Sequence, residues 1–377
     1  MTAADLLPDL RPADRRTVSP PPWFANPTAR DWTCAPTPAD VREFHAALPD
    51  YAATPLTELP ALATRLGVGR VLVKDESSRL GLPAFKALGA SWAVHRVLAE
   101  RAGGPVLLVT ATDGNHGRAV ARMAARHGQR ALVFVPSGLH PTAVAAIAAE
   151  GAQVTEVRGS YDDTVRHAAS VAAADPGAVL VQDTAWPGYE QVPSWIVSGY
   201  ATLFAELDAQ LGTDSAALLV VPAGVGSLAQ AAVTHYRSRP GGRATALLTV
   251  ESQAAACVLT SLRLGRRVSV PTATTTMAGL NCGTPSSLAW PYLHGGLDAA
   301  VAVTDRDADS AARELTGLGV SSGPCGAAAL AGADAALTGP GSTRRRADLG
   351  LGPTATVVLL STEGRAANPA LPAEARS

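Results

Sequence analysis

Short apolar runs alternate with amphipathic stretches along most of the chain. VLVK (71–74) reads as a strand, and after a polar turn residues 84–102 read as a helix. VLLVTA (106–111) reads as a buried strand, followed by a helix over 115–127 that ends at Gly128. ALVFVP (131–136), QVTEV (153–157) and AVLVQD (178–183) are further strands, separated by helices over 141–150 and 161–174. A long helix over 189–211 comes next, then the strand ALLVVP (217–222), a helix from 227 and the strand ALLTVE (246–251). Another helix follows, with strands near 300–303 and 355–360. Continuous Val/Leu-rich runs suit strands buried on both faces, and their alternation with helices indicates βαβ units. The expected fold class is therefore α/β, with two domains of mostly parallel twisted sheets covered by helices.

The two α/β series meet at the 189–211 helix. The expected division is an N-terminal arm over 1–50, a large domain of 51–85 and 189–377, and a small domain of 86–188. The arm is rich in proline and carries Trp23, Phe24 and Trp32, so it reads as an extended segment packed on the body. The stretch 337–353, with Arg344, Arg345 and Arg346, reads as a surface loop whose basic run is solvated. Chemistry in such folds sits at the carboxyl ends of strands, near the junction of the two series.

Composition narrows the function classes. Of 377 residues, 47% are hydrophobic and 17% charged, which supports a core and excludes a disordered chain. A net charge of −1 provides no basic field for nucleic acid or an anionic membrane. No apolar run approaches the ~20 residues that span a bilayer. The start, MTAADLLPDLRPADRR, lacks a basic leader followed by an apolar core, so no signal peptide is expected and the cytoplasm is the default. Cys34, Cys257, Cys282 and Cys325 have no metal or redox spacing. They read as buried or free thiols, and no metal site is expected. Of 31 basic residues only two are lysines, Lys74 and Lys86. Where arginine serves almost everywhere, a retained lysine suggests chemistry arginine cannot do, such as forming an imine with a carbonyl.

Lys86 lies in GLPAFKALGA at a helix start, where the partial positive charge should lower its pKa. Phe85 beside it either shields a flat ring or packs in the core. Lys74, in VLVKDESS, is explained by a salt bridge. PAGVGSLAQA (222–231) follows a strand and opens a helix. Gly224 and Gly226 let the backbone approach an anion, and Ser227 adds a hydroxyl. The same segment matches G-x-G-x-x-A, with Glu251 at the end of the next strand, so an NAD-dependent dehydrogenase is a competing reading. TATDGNHGRAV (110–120) places Asp113, Asn115 and His116 where backbone N–H groups hold a small anion. VQDTAWPGYE puts Asp183 at a strand end, and Ser361 ends the last strand.

A phosphate cradle, a reactive lysine and a serine at a strand end together resemble the fold type II pyridoxal-phosphate enzymes, the tryptophan synthase β-like group. Within it the chain is most similar to the diaminopropionate ammonia-lyases, through KDES with GLPAFK, TATDGNHG, VQDTAWPGYE, AGVGS, MAGLNCGTPSSLAWP and STEG, from about Lys74 to Gly364. The resemblance implies pyridoxal 5′-phosphate as cofactor and elimination from 2,3-diaminopropionate, giving pyruvate and ammonia. It implies that Lys86 forms the imine and then acts as a base, with Phe85 beside the ring. Gly224, Val225, Gly226 and Ser227 would bind the phosphate, Asn115 the ring hydroxyl and Ser361 the pyridine nitrogen. Thr112, Asp113, Gly114, Asn115 and His116 would hold the substrate carboxylate. Asp113 would deprotonate a D-substrate opposite Lys86, and Asp183 would contact the β-amino group. The larger domain would bind the cofactor, the smaller one would face the substrate, and a homodimer is expected. Ser321, Arg365 and Ala366 stand where the family commonly has acidic residues. That departure keeps elimination or replacement on another β-substituted alanine open as an alternative.

Overall fold

A computed structural model describes residues 21–101, 104–239 and 244–367. In chain order the strands are β1 (Trp23–Ala25), β2 (Leu56–Glu58), β3 (Arg70–Asp75), β4 (Leu107–Ala111), β5 (Arg130–Pro136) and β6 (Gln153–Val157). They continue as β7 (Ala178–Leu180), β8 (Leu218–Pro222), β9 (Ala246–Ser252), β10 (Ala299–Val303) and β11 (Thr356–Ser361). One sheet has the order β1-β10-β9-β8-β11-β3-β2, and the other β6-β5-β4-β7. The small sheet is wholly parallel. In the large one only the edge strands β1 and β2 are antiparallel. The predicted α/β class with mostly parallel sheets is what forms.

The run that reads as apolar on both faces is buried on both: every residue of β8, β9 and β10 is buried. One face of the large sheet packs on the helices Pro60–Leu66, Asp305–Gly317 and Pro324–Leu337. The second of its cores fills the space toward the small sheet, through the helices Lys86–Glu100, Asn115–Arg126, Gln191–Gly199 and Ser227–Arg237. The helix Tyr161–Ala174 covers the remaining face of the small sheet. Helix Pro324–Leu337 is built largely of Ala and Gly because it lies close on the sheet. A Cβ at Gly332 would stand 2.1 Å from Val250 Cγ2.

Four expectations change. Residues 189–211 form two helices, Gln191–Gly199 and Ala201–Leu211. The bonds from Tyr200 N to Val197 O and from Leu203 N to Tyr200 O, each 3.1 Å, tighten the backbone between them. Gly199 sits there because a Cβ would lie 2.6 Å from the Leu88 carbonyl. The 337–353 stretch holds a helix, Ser342–Leu349, and its basic run is mostly not solvated. Arg345 is buried and donates to the carbonyls of Ala336, Thr338 and Pro340, capping the end of helix Pro324–Leu337. Arg346 reaches the carbonyls of Leu337 and Leu66, so only Arg344 stays in solvent, paired with Asp348. The arm's described part is more than extended chain: β1 joins the large sheet and residues Asp40–Ala46 form a helix. Residues 1–20 lie outside the described residues. The strand drawn over 178–183 stops at Leu180.

Lys74 does take a salt bridge, inside a buried cluster. Its ammonium donates to Glu206 Oε2 (2.8 Å), the Thr54 carbonyl (2.8 Å) and Gln210 Oε1 (2.9 Å). Arg79, also fully buried, donates to both oxygens of Glu76 and both of Glu206. Thr54 Oγ1 and Tyr51 Oη complete the carboxylate shells. Three donors spread around a compact ammonium satisfy these acceptors, and arginine's planar fork does not. Lys74→Arg should therefore lower the unfolding free energy read from urea denaturation by about 1–3 kcal/mol through overpacking, while leaving turnover intact. Glu206→Ala, which takes from Lys74 its one bonded carboxylate and leaves Arg79 with Glu76 alone, should cost about 3–5 kcal/mol. A Lys74→Arg protein as stable as the parent would refute this account of the cluster.

Candidate active site

The carboxyl ends of β3, β8 and β11 meet those of the small sheet around a cavity of about 400 Å³, a volume typical of small-ligand sites. β8 runs straight into Ala223–Gly226 and the helix Ser227–Arg237. Gly224 has no room for a Cβ, which would lie 2.9 Å from Cys282 Sγ and 3.0 Å from the Gly279 carbonyl. Gly226, at φ +95°, takes the left-handed conformation glycine favours, and a Cβ there would meet Leu293 at 2.6 Å. The loop turns backbone N–H groups at a helix start toward the cavity, as an anion site requires. The Ser227 hydroxyl is directed elsewhere, donating to the Asp183 carbonyl at 2.7 Å. That bond ties the glycine loop to the segment after β7.

Lys86 opens its helix with Phe85 as the preceding residue, and both line the cavity. The amine pairs with Asp183 and stands 5.3 Å from the Phe85 ring centre. Phe85 also packs on Tyr200, with ring centres 4.8 Å apart, which is the core-packing role of the two left open for it. Burial favours a neutral amine, but the Asp183 carboxylate outweighs it and holds the Lys86 ammonium above the usual lysine range. The expected lowering by the helix start is thus overturned by a closer, full charge. Burial likewise opposes ionisation of Asp183, yet Lys86 beside it holds that carboxyl well below the usual range.

After β4, Thr112 Oγ1 accepts from the N–H groups of Gly114 (2.9 Å) and Gly117 (3.0 Å), shaping the start of helix Asn115–Arg126. The N–H groups of Asn115 and His116, in its first turn, have no intrahelical acceptor. The His116 ring is buried, and its Nε2 donates to the Val181 carbonyl at 2.8 Å. Burial keeps the ring neutral, leaving Nδ1 an acceptor, so the ring anchors the loop and only the backbone can meet a carboxylate. Asp113 is half-buried on the cavity wall. Burial, then the Asp183 charge, push its carboxyl up to about 8.

Thr112, Asp113, Gly114, Asn115, His116, Asp183, Phe85, Lys86 and residues 224–227 are all brought to this one cavity. Ser361 stands behind it: its hydroxyl donates to Ser322 Oγ at 2.8 Å, and it is not among the lining residues. Residue reading passed over Tyr161 and Glu363, which do line the cavity. Glu363 is buried and accepts from Asn115 Nδ2 at 2.6 Å. The signal for it was its place in STEG, two residues past a strand end. Ser321 and Arg365 touch each other, Arg365 N donating to Ser321 Oγ at 3.4 Å, and neither lines the cavity. Glu251 cannot serve a ribose. It is fully buried and accepts from the N–H groups of Val258 (2.8 Å) and Leu259 (2.6 Å), which overturns the dehydrogenase reading.

An anion cradle two glycines keep open, an amine, an aromatic face and an amide donor fit a flat phosphate-bearing aldehyde. The comparisons agree. The family model described as "Pyridoxal-phosphate dependent enzyme" matches residues 47–362. The chain is 37% identical over 292 residues to the diaminopropionate ammonia-lyase of Salmonella typhimurium, covering 71% of this chain and 72% of that one. It is 35% identical over 348 residues to the Escherichia coli enzyme of that name, covering 86% and 87%. The crystal structure of the Escherichia coli enzyme in complex with D-serine superposes with a TM-score of 0.85 at 32% identity, covering 91% of this chain and 94% of that one.

The raised Asp113 carboxyl has a consequence for stability. Its folded value of about 8 lies above the ~3.9 of an unfolded aspartate. Between those values the folded chain keeps a proton that the unfolded chain has released, so stability falls as pH rises through the window. In urea denaturation of cofactor-free protein, Asp113→Asn should match the parent near pH ~4 and become progressively more stable than it toward pH ~8. A difference independent of pH would contradict the assigned shift.

Proposed function

The chain belongs to the pyridoxal-phosphate-dependent enzymes of fold type II, and from that premise we propose that it eliminates the β-amino group of 2,3-diaminopropionate, in its D form, its L form or both. The products are pyruvate and ammonia. One observation carries this: besides Glu363, which is engaged with Asn115, the carboxyl groups of Asp113 and Asp183 share the cavity with Lys86, which matches a substrate bearing two amino groups. The names of its relatives support the same substrate. The acidic positions lost at Ser321 and Arg365 lie off the cavity wall, so the charge facing a diamino acid is kept.

Lys86 would hold the cofactor through its aldehyde carbon, and the backbone of Gly224, Val225, Gly226 and Ser227 would hold its phosphate. Phe85 would cover a ring face, Asn115 would meet the ring hydroxyl, and Ser361 would meet the pyridine nitrogen by turning its hydroxyl from Ser322 toward the cavity. When bound, pyridoxal phosphate takes up the electron pair left on Cα. The N–H groups at the helix start after Thr112 orient the substrate carboxylate. Lys86 takes the Cα proton of an L-substrate. Asp113 takes that of a D-substrate on the opposite face, and its raised value suits a base near neutral pH. Asp183 faces the β-ammonium. The β-nitrogen leaves as ammonia, and water releases pyruvate and the second ammonia.

The same reading takes 86–188 as the substrate-side domain and 51–85 with 189–377 as the cofactor-binding one, supported by the separate small sheet drawn from β4 to β7. A cytoplasmic homodimer belongs to it too. Four free cysteines support a reducing compartment, and sedimentation at twice 38.4 kDa would read the dimer.

Two variants test the reading. Lys86→Arg keeps the charge but cannot bind the aldehyde covalently. The cofactor should then dialyse away, borohydride should no longer fix it to the protein, and turnover should vanish. Asp113→Asn should depress the D-reaction by about 10²–10⁴-fold, the usual loss for a general base, and the L-reaction much less. Equal losses for both enantiomers would reduce Asp113 to a carboxylate-loop residue. Parent enzyme that forms pyruvate from another β-substituted alanine, but from neither diaminopropionate enantiomer, would replace the proposed substrate.

A further inference from the structure

The hydrogen-bond directions around Asp183 follow from one backbone group. The N–H of Ala111 can only donate, and it donates to Gln182 Oε1 at 2.9 Å. Thr110 Oγ1 donates to the same oxygen at 3.1 Å. The Gln182 amide is therefore fixed in one orientation, and its Nε2 is the donor end. That nitrogen donates to Tyr161 Oη at 2.8 Å and to Asp183 Oδ1 at 3.2 Å. Since Tyr161 Oη accepts from Gln182, its own hydrogen is free to go to Asp183 Oδ1, 3.3 Å away. The other oxygen of Asp183 takes Lys86. Each of these neighbours presents a hydrogen to the carboxylate, and the two on Oδ1, from Tyr161 and Gln182, do not depend on Lys86, which the cofactor would engage.

The scaffold behind this arrangement is rigid. Gln182 is fully buried. Its N–H donates to Tyr189 Oη at 2.8 Å, and that hydroxyl donates in turn to the Leu180 carbonyl. Tyr161 is the first residue of its helix, and a reciprocal capping box between Ser160 and Asp163 sets where that helix begins. Neither side chain is free to turn its donor away.

We infer that Tyr161 and Gln182 are positioning residues that lock Asp183 as an anion, so that the site selects substrates whose β-substituent already carries protons and positive charge. A carboxylate surrounded by donors has no proton to give. A β-ammonium arrives with its own protons and leaves as ammonia once the C–N bond breaks. A β-hydroxyl must receive a proton to leave as water, and a locked Asp183 does not supply it. The inference rests on the reading of Asp183 as the group facing Cβ. It deepens that reading by naming the leaving-group class and the two residues that set it.

Lys86 and His116 face Asp183 as the cationic and imidazole neighbours, and Asp113 as a second carboxyl. Tyr161, Tyr189, Tyr200 and Cys282 are the weakly acidic groups around it, all raised by burial and none ionised near neutrality. Asp183 is thus the group in this set whose ionisation Tyr161 and Gln182 control.

The test uses the cofactor-loaded enzyme and Tyr161→Phe, with diaminopropionate, β-chloroalanine and serine as substrates. A hydrogen bond to a charged group is lost, so kcat/KM for diaminopropionate should fall at least about 10-fold. β-Chloroalanine, whose chloride needs neither a proton nor a counter-charge, should change less than about threefold. The acid limb of the diaminopropionate profile should move to higher pH, and the cofactor absorbance should gain a transition on that side. Cofactor retention on dialysis should match the parent. Gln182→Met, which leaves Tyr161 free to turn, is the second variant and should show the same substrate order with the same acid-side shift. Equal losses on all three substrates with an unmoved acid limb would overturn the lock. Parent enzyme inactive on diaminopropionate would instead refute the proposed function, and the absorbance transition in the variants would still decide the lock.

Discussion

Lys86 and Asp183 hold the two sheets to one geometry. Lys86 stands between β3 of the large sheet and the helix that follows. Asp183 stands just past β7 of the small one. Either charge alone, largely out of water, would be costly, so the two loops must meet. Other contacts follow from that meeting. The Asp183 carbonyl receives the Ser227 hydroxyl, which brings the glycine loop to the same place. The Ala185 N–H donates to Ser286 Oγ at 3.0 Å, and the Ser286 N–H donates to Val225 O at 2.9 Å. Glycine loop, amine and carboxylates are thus coupled through a few directional bonds.

The loop that presents Lys86 is itself held from behind. Glu76 N–H donates to the Ser361 carbonyl at 2.9 Å, and Phe85 N–H to the Thr362 carbonyl at 3.1 Å. The loop therefore lies along the end of β11. Glu76 and Arg79 root it in the buried cluster with Lys74 and Glu206. The two lysines of this chain, alike in being unreplaced by arginine, are kept for different reasons. One is proposed to bind the cofactor covalently, and the other fits three acceptors around a point charge.

Much of this was readable from residues alone. The apolar runs of β8, β9 and β10 are continuous because both their faces are covered, and that pattern survives in sequence without any neighbour being known. The glycine loop was readable because only glycine tolerates positive φ at Gly226 and the crowding at Gly224. The boundaries that shifted are those set by packing in the folded chain. The break at Tyr200 reflects the crowding of Gly199 against Leu88, and the 342–349 helix reflects buried carbonyls waiting for Arg345. Leu88 is remote in sequence, and the carbonyls of Ala336, Thr338 and Pro340, though near Arg345 along the chain, need it only because the fold buries the end of their helix.

Local pattern determined the strand and helix types and the glycine loop and singled out Lys86 as the candidate amine, because each depends on a residue's own stereochemistry or reactivity. Contact between remote segments determined the rest. Tyr161 and Glu363 are ordinary residues until the fold sets one beside Asp183 and the other beside Asn115. Glu251, credible in sequence as a ribose acceptor, spends its carboxylate on the N–H groups of Val258 and Leu259. The charge state of Lys86 was misjudged for the same reason. A helix start contributes a fraction of a charge and is visible in the sequence. The full charge of Asp183, 97 residues away, dominates at contact distance and depends on the tertiary fold.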